Sequence, residues 1–328
     1  MKMNKKSMFI LIGILVAVLI PLVITNNYVL SIIDLGLINA IAALGLNFIF
    51  GYTGYISFAQ SAFMGIGAYA SSILATKCNM PFIVCFIGGA AVAGLLGVLL
   101  GMPSLKLKGH YLAIVTIGFG VIAQLVFLNW APVTNGVNGI TNIPSPALFG
   151  FKFEGYSRFY YLVLGIVLLF MFFVYRVSKS KFGRALKSVR EDETASSACG
   201  VNVKYYKVMA FALSAIFAGF AGSLYAYVLN YISPDSFSFD QSIVIFTMVL
   251  IGGAGTVIGP IIGAILLTFI PEWLRFLQGY YMAAYGAGIV ILMLFMPGGI
   301  MGLKAALIDK VSKAKFRNKK EKISSENS

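Results

Sequence analysis

Negative charge is scarce in this chain. Only 11 of its 328 residues are Asp or Glu, against 25 Lys and Arg, and three of those acids fall in one run, Glu191, Asp192 and Glu193. Histidine occurs once, and His110 has no cysteine or carboxylate at ligand spacing, so it reads as an interfacial hydrogen-bonding residue and not as a metal ligand. The three cysteines, Cys78, Cys85 and Cys199, show no CxxC spacing and support neither a zinc site nor a disulfide framework; they read as small apolar fillers. No G-x-x-x-x-G-K-[ST] occurs, so this chain does not itself cradle the phosphates of ATP, and HExxH and GxSxG are missing too. "GAGTVIG" at 253–259 lies inside an apolar run and not in a strand-turn-helix, which removes the dinucleotide reading. Nothing in the sequence is an enzyme's active site, and no cofactor or metal is expected on this chain.

What is present is apolar surface. Hydrophobic residues make up 59% of the chain and the mean hydropathy is +0.89, far above a soluble domain; the fold class is an all-α polytopic membrane protein. A bilayer core needs roughly twenty apolar residues per helical crossing. Spans are expected at 8–25, 28–50, 56–76, 82–102, 110–129, 159–176, 206–230 and 282–302, with 241–270 split into two short spans meeting near Gly255. That makes ten crossings. The alternative is eight, with 56–76 re-entrant and 241–270 one broken crossing.

The basic residues follow this layout. Lys2, Lys5 and Lys6, then Lys106 and Lys108, eight residues from Arg176 to Lys207, and eight from Lys304 to Lys322 put 21 of 25 on one face. By the positive-inside rule that face is cytoplasmic, and both termini lie there. The net charge of +14 is thus an orientation signal and not a nucleic-acid footprint. The chain divides into a cytoplasmic tail at 1–7, a permease domain at 8–303 with a cytoplasmic loop at 178–205, and a basic cytoplasmic tail at 304–328. The first apolar run has the outline of a signal peptide, but "VITNN" offers no small-x-small cleavage site, so it reads as a retained first helix.

Small residues recur at helical steps of three and four. Ala212, Ala215, Gly219, Gly222 and Ala226 form one smooth stripe; Ala90, Gly94, Gly97 and Gly101 form another, and Ser61, Gly65, Ala68 and Ser72 a third. Such stripes let helix backbones approach closely. "GYTGYIS" (51–57) and "GGAGTVIGP" (252–260) share a G-x-x-G core and predict breaks in the helices, of the kind transporters build around. Asp34 is placed near the outer end of its span, where water reaches it. No carboxylate or cation is evident at the bilayer midplane, where an ion-coupled transporter needs one.

The acidic run interrupts all this. Ser188 and Glu191 form S-x-x-E, a capping box, and predict a three-turn helix over 189–199 with Glu191, Asp192 and Glu193 in its first turns and Gly200 just past its end. Asn202 can cap the membrane helix that follows. Two readings stand on these residues. The segment is a solvated loop helix kept out of lipid by its charge, or a docking helix whose small face of Ala195, Ala198 and Cys199 enters a groove.

The chain resembles the inner-membrane permeases of ABC importers for branched-chain amino acids, in particular their LivM-like branch. The likeness covers about 35–303 and rests on five motifs in order: "LGLNFIFGYTGYISFAQSAFMGIGAY" (44–69), "LKGHYLAIVTIGFG" (107–120), "TNGVNGI" (134–140), "FGRALKSVREDETASSACGVNVKYYKVMAFALSAIFAGFAGSLYA" (182–226) and "GGAGTVIGPIIGA" (252–264). It implies half of a translocation pore in a bacterial cytoplasmic membrane. Its partners would be a second, LivH-like permease, two cytosolic ATPase subunits that carry the ATP and Mg, an extracytoplasmic binding protein, and membrane lipid, with no nucleic acid. It also implies that Arg190, Glu191, Asp192, Glu193, Ala195, Ala198 and Gly200 form the ATPase-coupling loop. The family's Glu-Ala-Ala-x-x-x-Gly pattern falls on Thr194, Ala195, Ser196 and Gly200, with the acid one place early at Glu193. Where related permeases have Gly-His, this chain has Ala59 and Gln60. Polar residues in or beside the motifs, namely Asn47, Ser57, Gln60, Thr116, Thr134 and Asn138, are candidates for the substrate path, with helix-to-helix hydrogen bonding as the competing role. Leucine, isoleucine and valine are the expected substrates. Relatives that carry urea, short amides or nucleosides supply one alternative, and an ion-coupled secondary transporter another.

Overall fold

A computed structural model describes residues 17–24, 26–104, 109–148, 151–153, 155–274, 286–288, 290 and 298–302. The two tails, most of the expected spans at 8–25 and 282–302, and the charges of Lys106, Lys108 and Arg275 lie outside them. In chain order the main helices are α1 (Asn27–Asn47), α2 (Gln60–Thr76), α3 (Phe82–Ser104), α4 (His110–Asn129), α5 (Tyr156–Lys179), α6 (Lys181–Glu191), α7 (Glu193–Ala198), α8 (Val203–Leu229), α9 (Phe239–Gly252) and α10 (Gly259–Trp273). Helix α1 continues through a π turn, Phe48–Tyr52. Among the described residues five segments are long and apolar enough to cross a membrane: Asn27–Tyr52, Phe82–Pro103, His110–Asn129, Tyr156–Lys179 and Val203–Leu229. The protein is an all-α, multi-pass membrane protein, and these helices fall on the expected spans to within a few residues.

Helix α1 is the axis of the bundle. In the apolar window of Asn27–Tyr52, 83% of residues are buried, against 22% for α5, which presents most of its surface outward. Around α1 the helices close on one another through the small-residue stripes. A Cβ on Gly219 of α8 would sit 2.7 Å from the Ala93 Cβ of α3, and one on Gly97 of α3 would sit 2.4 Å from the Ala215 Cβ. One turn on in the same stripe of α8, a Cβ on Gly222 would lie 1.8 Å from the Met64 carbonyl of α2. Backbones this close gain dispersion contacts that no larger residue permits, and in lipid such contacts take the place of a hydrophobic driving force.

Two elements are only half helical. Residues 54–59 carry no regular structure, so α2 starts at Gln60 and not at 56. The Gln60 side chain bonds to Ser214, about 16 Å along α8 from Val203. The irregular stretch therefore climbs from the α6–α7 end of the bundle to mid-height before α2 begins. The counterpart lies between α8 and α9, where 230–238 pass through a short strand and a 3-10 turn. This stretch falls where the expected spans leave a gap, at 231–240. The first turns of α2 and α9 meet: the Ser61 amide donates to Ser242 Oγ at 3.0 Å and Ser61 Oγ donates to the Ser238 carbonyl at 2.7 Å. The expected break at Gly255 is present, with helix ending at Gly252 and resuming at Gly259.

At the end of the bundle opposite α6 and α7, Ile140–Thr141 pairs antiparallel with Tyr231–Ile232, and the Lys77 ammonium donates to the carbonyls of Pro132 and Val133. Asp34 does not sit in a water-reached position. It is fully buried in α1, and neither carboxylate oxygen has a hydrogen-bond partner among the described residues.

Candidate functional site

The charged loop folds as two helices at an angle, not as one. Ser180 caps α6 by accepting from the Gly183 amide at 3.2 Å, and Leu186 and Val189 turn inward at helical spacing. The helix starts well before 189 because this apolar stripe has a surface to bury against. It stops at Glu191 because its C-terminal end carries negative partial charge, which a further run of acids would oppose. Asp192 takes an extended conformation, and its carboxylate accepts from the Thr194 and Ala195 amides at 2.7 and 2.9 Å, capping α7. The Ser188/Glu191 capping box does not form; Ser188 Oγ donates back to the Ala185 carbonyl instead. Gly200, at φ +84°, turns the chain out of α7, and Asn202 caps α8 through the Tyr205 amide at 3.1 Å, as expected.

The residues of this loop divide into an outer and an inner set. Glu191, Asp192, Thr194, Ala195, Ala198 and Cys199 are exposed. Ser188, Glu191, Asp192, Ala195, Ser196, Cys199 and Val201 line an open groove of about 340 Å³. Glu193 reaches the other way, and Arg190, although exposed, turns its guanidinium inward too. Arg190 Nη1 donates to the Gly51 carbonyl at 2.5 Å, in the π turn below α1. The same nitrogen lies 3.3 Å from where a Cβ on Gly255 would stand, and the Arg190 stem passes over Gly54. Both glycine breaks thus meet at one guanidinium.

Glu193 accepts from the Lys207 ammonium at 2.9 Å and, through its other oxygen, from the Tyr55 hydroxyl. Lys207 is buried near the start of α8 and lies 4.6 Å from the centre of the Tyr55 ring. Burial, then the hydrogen bond and the negative charge of Glu193, push the Tyr55 phenol above its ordinary range, so it remains a donor. Behind this cluster Asn47 joins the breaks to each other: its Oδ1 accepts from the Gly255 amide at 2.8 Å and its Nδ2 donates to the Thr256 carbonyl at 2.8 Å.

The other path candidates do not converge. Gln60 Nε2 donates to the Ala42 carbonyl at 2.7 Å, and its Oε1 accepts from Ser214 Oγ at 2.8 Å, so it ties α1, α2 and α8 at mid-height. Thr116 of α4 accepts the Phe58 amide at 3.0 Å, and buried Ser57 accepts the Ala59 amide at 3.4 Å. These two satisfy irregular backbone that has no helical partner. Thr134 bonds to the carbonyls of Phe127 and Trp130 at the far end, and Asn138 there is exposed. Hydrogen bonding inside the bundle is what the buried members of this set are seen to do. Sequence reasoning missed Tyr55 and Lys207, whose only signal was a lysine inside an otherwise apolar helix. Among the described residues no three of His, Cys, Asp and Glu converge to hold a metal.

An exposed groove clamped to broken helices fits a transport subunit, and comparison with known proteins agrees. The family model for the branched-chain amino acid transport system permease component matches residues 28–297. The chain belongs to that family. It is 35% identical over 320 residues to the high-affinity branched-chain amino acid transport system permease protein LivM of Escherichia coli (strain K12), covering 90% of this chain and 75% of the relative. It is 26% identical to the ribose import permease protein RbsC of the same strain, over 88% of this chain and 92% of that one. The permease LivH of that strain is 25% identical, over 82% and 93%. No solved structure matches this chain. These relatives are transport permease subunits and not enzymes.

Proposed function

We propose that this permease is one of two membrane subunits of an ATP-driven importer for leucine, isoleucine and valine in the bacterial cytoplasmic membrane. It would cross the bilayer ten times with both termini inside. Its companions would be a LivH-like permease, two ATPase subunits that bind the ATP and Mg, and an extracytoplasmic binding protein. The observation that carries the reading is the geometry of 181–200: a short helix with exposed small residues and a groove on its outer side, fastened on its inner side to both glycine breaks. Membership of the family supports the transport role, and the resemblance to a LivM at 35% identity supports the substrate class.

The test is co-purification from the native membrane followed by reconstitution. The chain should bring down a second permease and an ATPase, and proteoliposomes holding the complex and its binding protein should accumulate radiolabelled leucine only with ATP inside. Accumulation driven by an ion gradient with no ATPase present would refute the reading. Ribose or urea competing better than leucine for the binding protein would refute the substrate class.

A further inference from the structure

We infer that Glu193 and Arg190 are positioning residues on the inner side of the coupling loop, and that they carry its movement to the broken helices rather than touching the ATPase. The inference rests on the docking reading above and deepens it. Four observations support it. Glu193 is the one acid of its run that is not fully exposed, and both its carboxylate oxygens are engaged, by Lys207 and by Tyr55. Lys207 is itself 4% exposed, so its charge has been taken out of water and is held by Glu193. Tyr55 lies near the start of the irregular stretch that rises to the first turn of α2, so a shift of Glu193 pulls on that stretch through the phenol. Arg190, three residues earlier, holds the Gly51 carbonyl and lies against Gly255.

The mechanical consequence follows from connectivity. Helix α7 is only six residues long and its cap, Asp192, is extended, so α7 can tilt about Asp192 and Gly200 without unwinding α6 or α8. A push on the outer groove therefore moves Glu193 as a rigid part of α7. Lys207 and Tyr55 transmit that push to α8 and to 54–59, while Arg190 ties the end of α6 to both glycine breaks. The acid's place, one position before the family pattern, sets it on the inner side of the short helix. That shift makes it a strut.

The experiment uses the reconstituted full complex and reads three quantities: ATPase co-purification, ATP hydrolysis, and leucine taken up per ATP hydrolysed. Tyr55→Phe removes one hydroxyl and leaves the ion pair, so folding is preserved. Glu193→Gln with Lys207→Met removes the pair without burying a lone charge. Both should keep the ATPase bound and hydrolysis within twofold, yet lower uptake per ATP at least tenfold; the exchange Glu193→Lys with Lys207→Glu should recover at least a third of it. Release of the ATPase by the Glu193 variant would make Glu193 a contact residue and overturn the inference. So would unchanged uptake per ATP in both variants. Ala195→Trp on the outer side should release the ATPase; if it does not, the docking reading fails, a result distinguishable from failure of the strut alone.

Discussion

Replacing Gly222 with alanine should open the contact between α8 and α2. The added Cβ would stand 1.8 Å from the Met64 carbonyl oxygen, 2.7 Å from its carbon and 3.0 Å from the Ala68 amide. All three are backbone atoms of a buried helix, so no side chain can swing away. An ordinary contact distance is restored only if the helices part by about 1.5 Å, which strips packing from both stripes. Forced methyl groups in packed cores cost about 1–3 kcal/mol, and backbone neighbours place this one at the upper end. Alanine's better helix propensity returns up to about 1 kcal/mol, leaving a net loss near 2 kcal/mol. The control is Gly165→Ala on α5, where nothing lies within 4 Å of the new Cβ and only the propensity gain remains. Thermal unfolding of both variants in one detergent should lower the midpoint for Gly222→Ala and hold or raise it for Gly165→Ala. Equal stability of the two would refute the close-packing account of the bundle.

Three further outcomes are expected. Gln60→Leu leaves the Ala42 carbonyl and Ser214 hydroxyl without their amide partner, and should destabilise the protein by about 1–3 kcal/mol in the same assay; an unchanged midpoint would show that the tie across three helices contributes nothing. Asp34→Leu removes a buried carboxyl with no partner among the described residues and should stabilise the protein by about 1–3 kcal/mol, raising the midpoint; a fall would show that the carboxyl is stabilised in the membrane after all. Asp192→Ala removes the α7 cap, at a cost of about 1 kcal/mol, and should speed hydrogen exchange at the Thr194 and Ala195 amides; unchanged protection there would refute the capping role.

Long apolar helices and their tight contacts were legible from the sequence because each depends on local composition. The stripe Ala212, Ala215, Gly219, Gly222, Ala226 names its own packing face, and α4 begins and ends where its apolar run does. The break at 252–260 was legible because glycine density marks it. The break at 230–238 was legible too, since the expected spans end at 230 and resume at 241, whereas its pairing with Ile140–Thr141 lay beyond any local pattern. In the charged loop, S-x-x-E pointed to a cap at Ser188, but burial of Leu186 and Val189 started a helix earlier and handed the capping role to Asp192. Asp34 and Glu193 show the same limit: which way a charged side chain points is decided by neighbours far along the chain. In the path set, Gln60 and Thr116 were named as candidates for lining the substrate path, and the partners they bond to, Ser214 and Phe58, lay beyond reach of any local pattern.

The side chain of Asn47 occupies the space that a Cβ on Gly51 would need, with Oδ1 only 1.8 Å from that position, and from there it clasps Gly255 and Thr256. Any substitution at Gly51 evicts the carboxamide and parts the two breaks. Loss of Asn47 does not free the glycine, because a Cβ there would still stand 2.5 Å from the Gly255 backbone nitrogen. The constraint is therefore one-sided: related chains should be found to change the asparagine while keeping the glycine, and not the reverse.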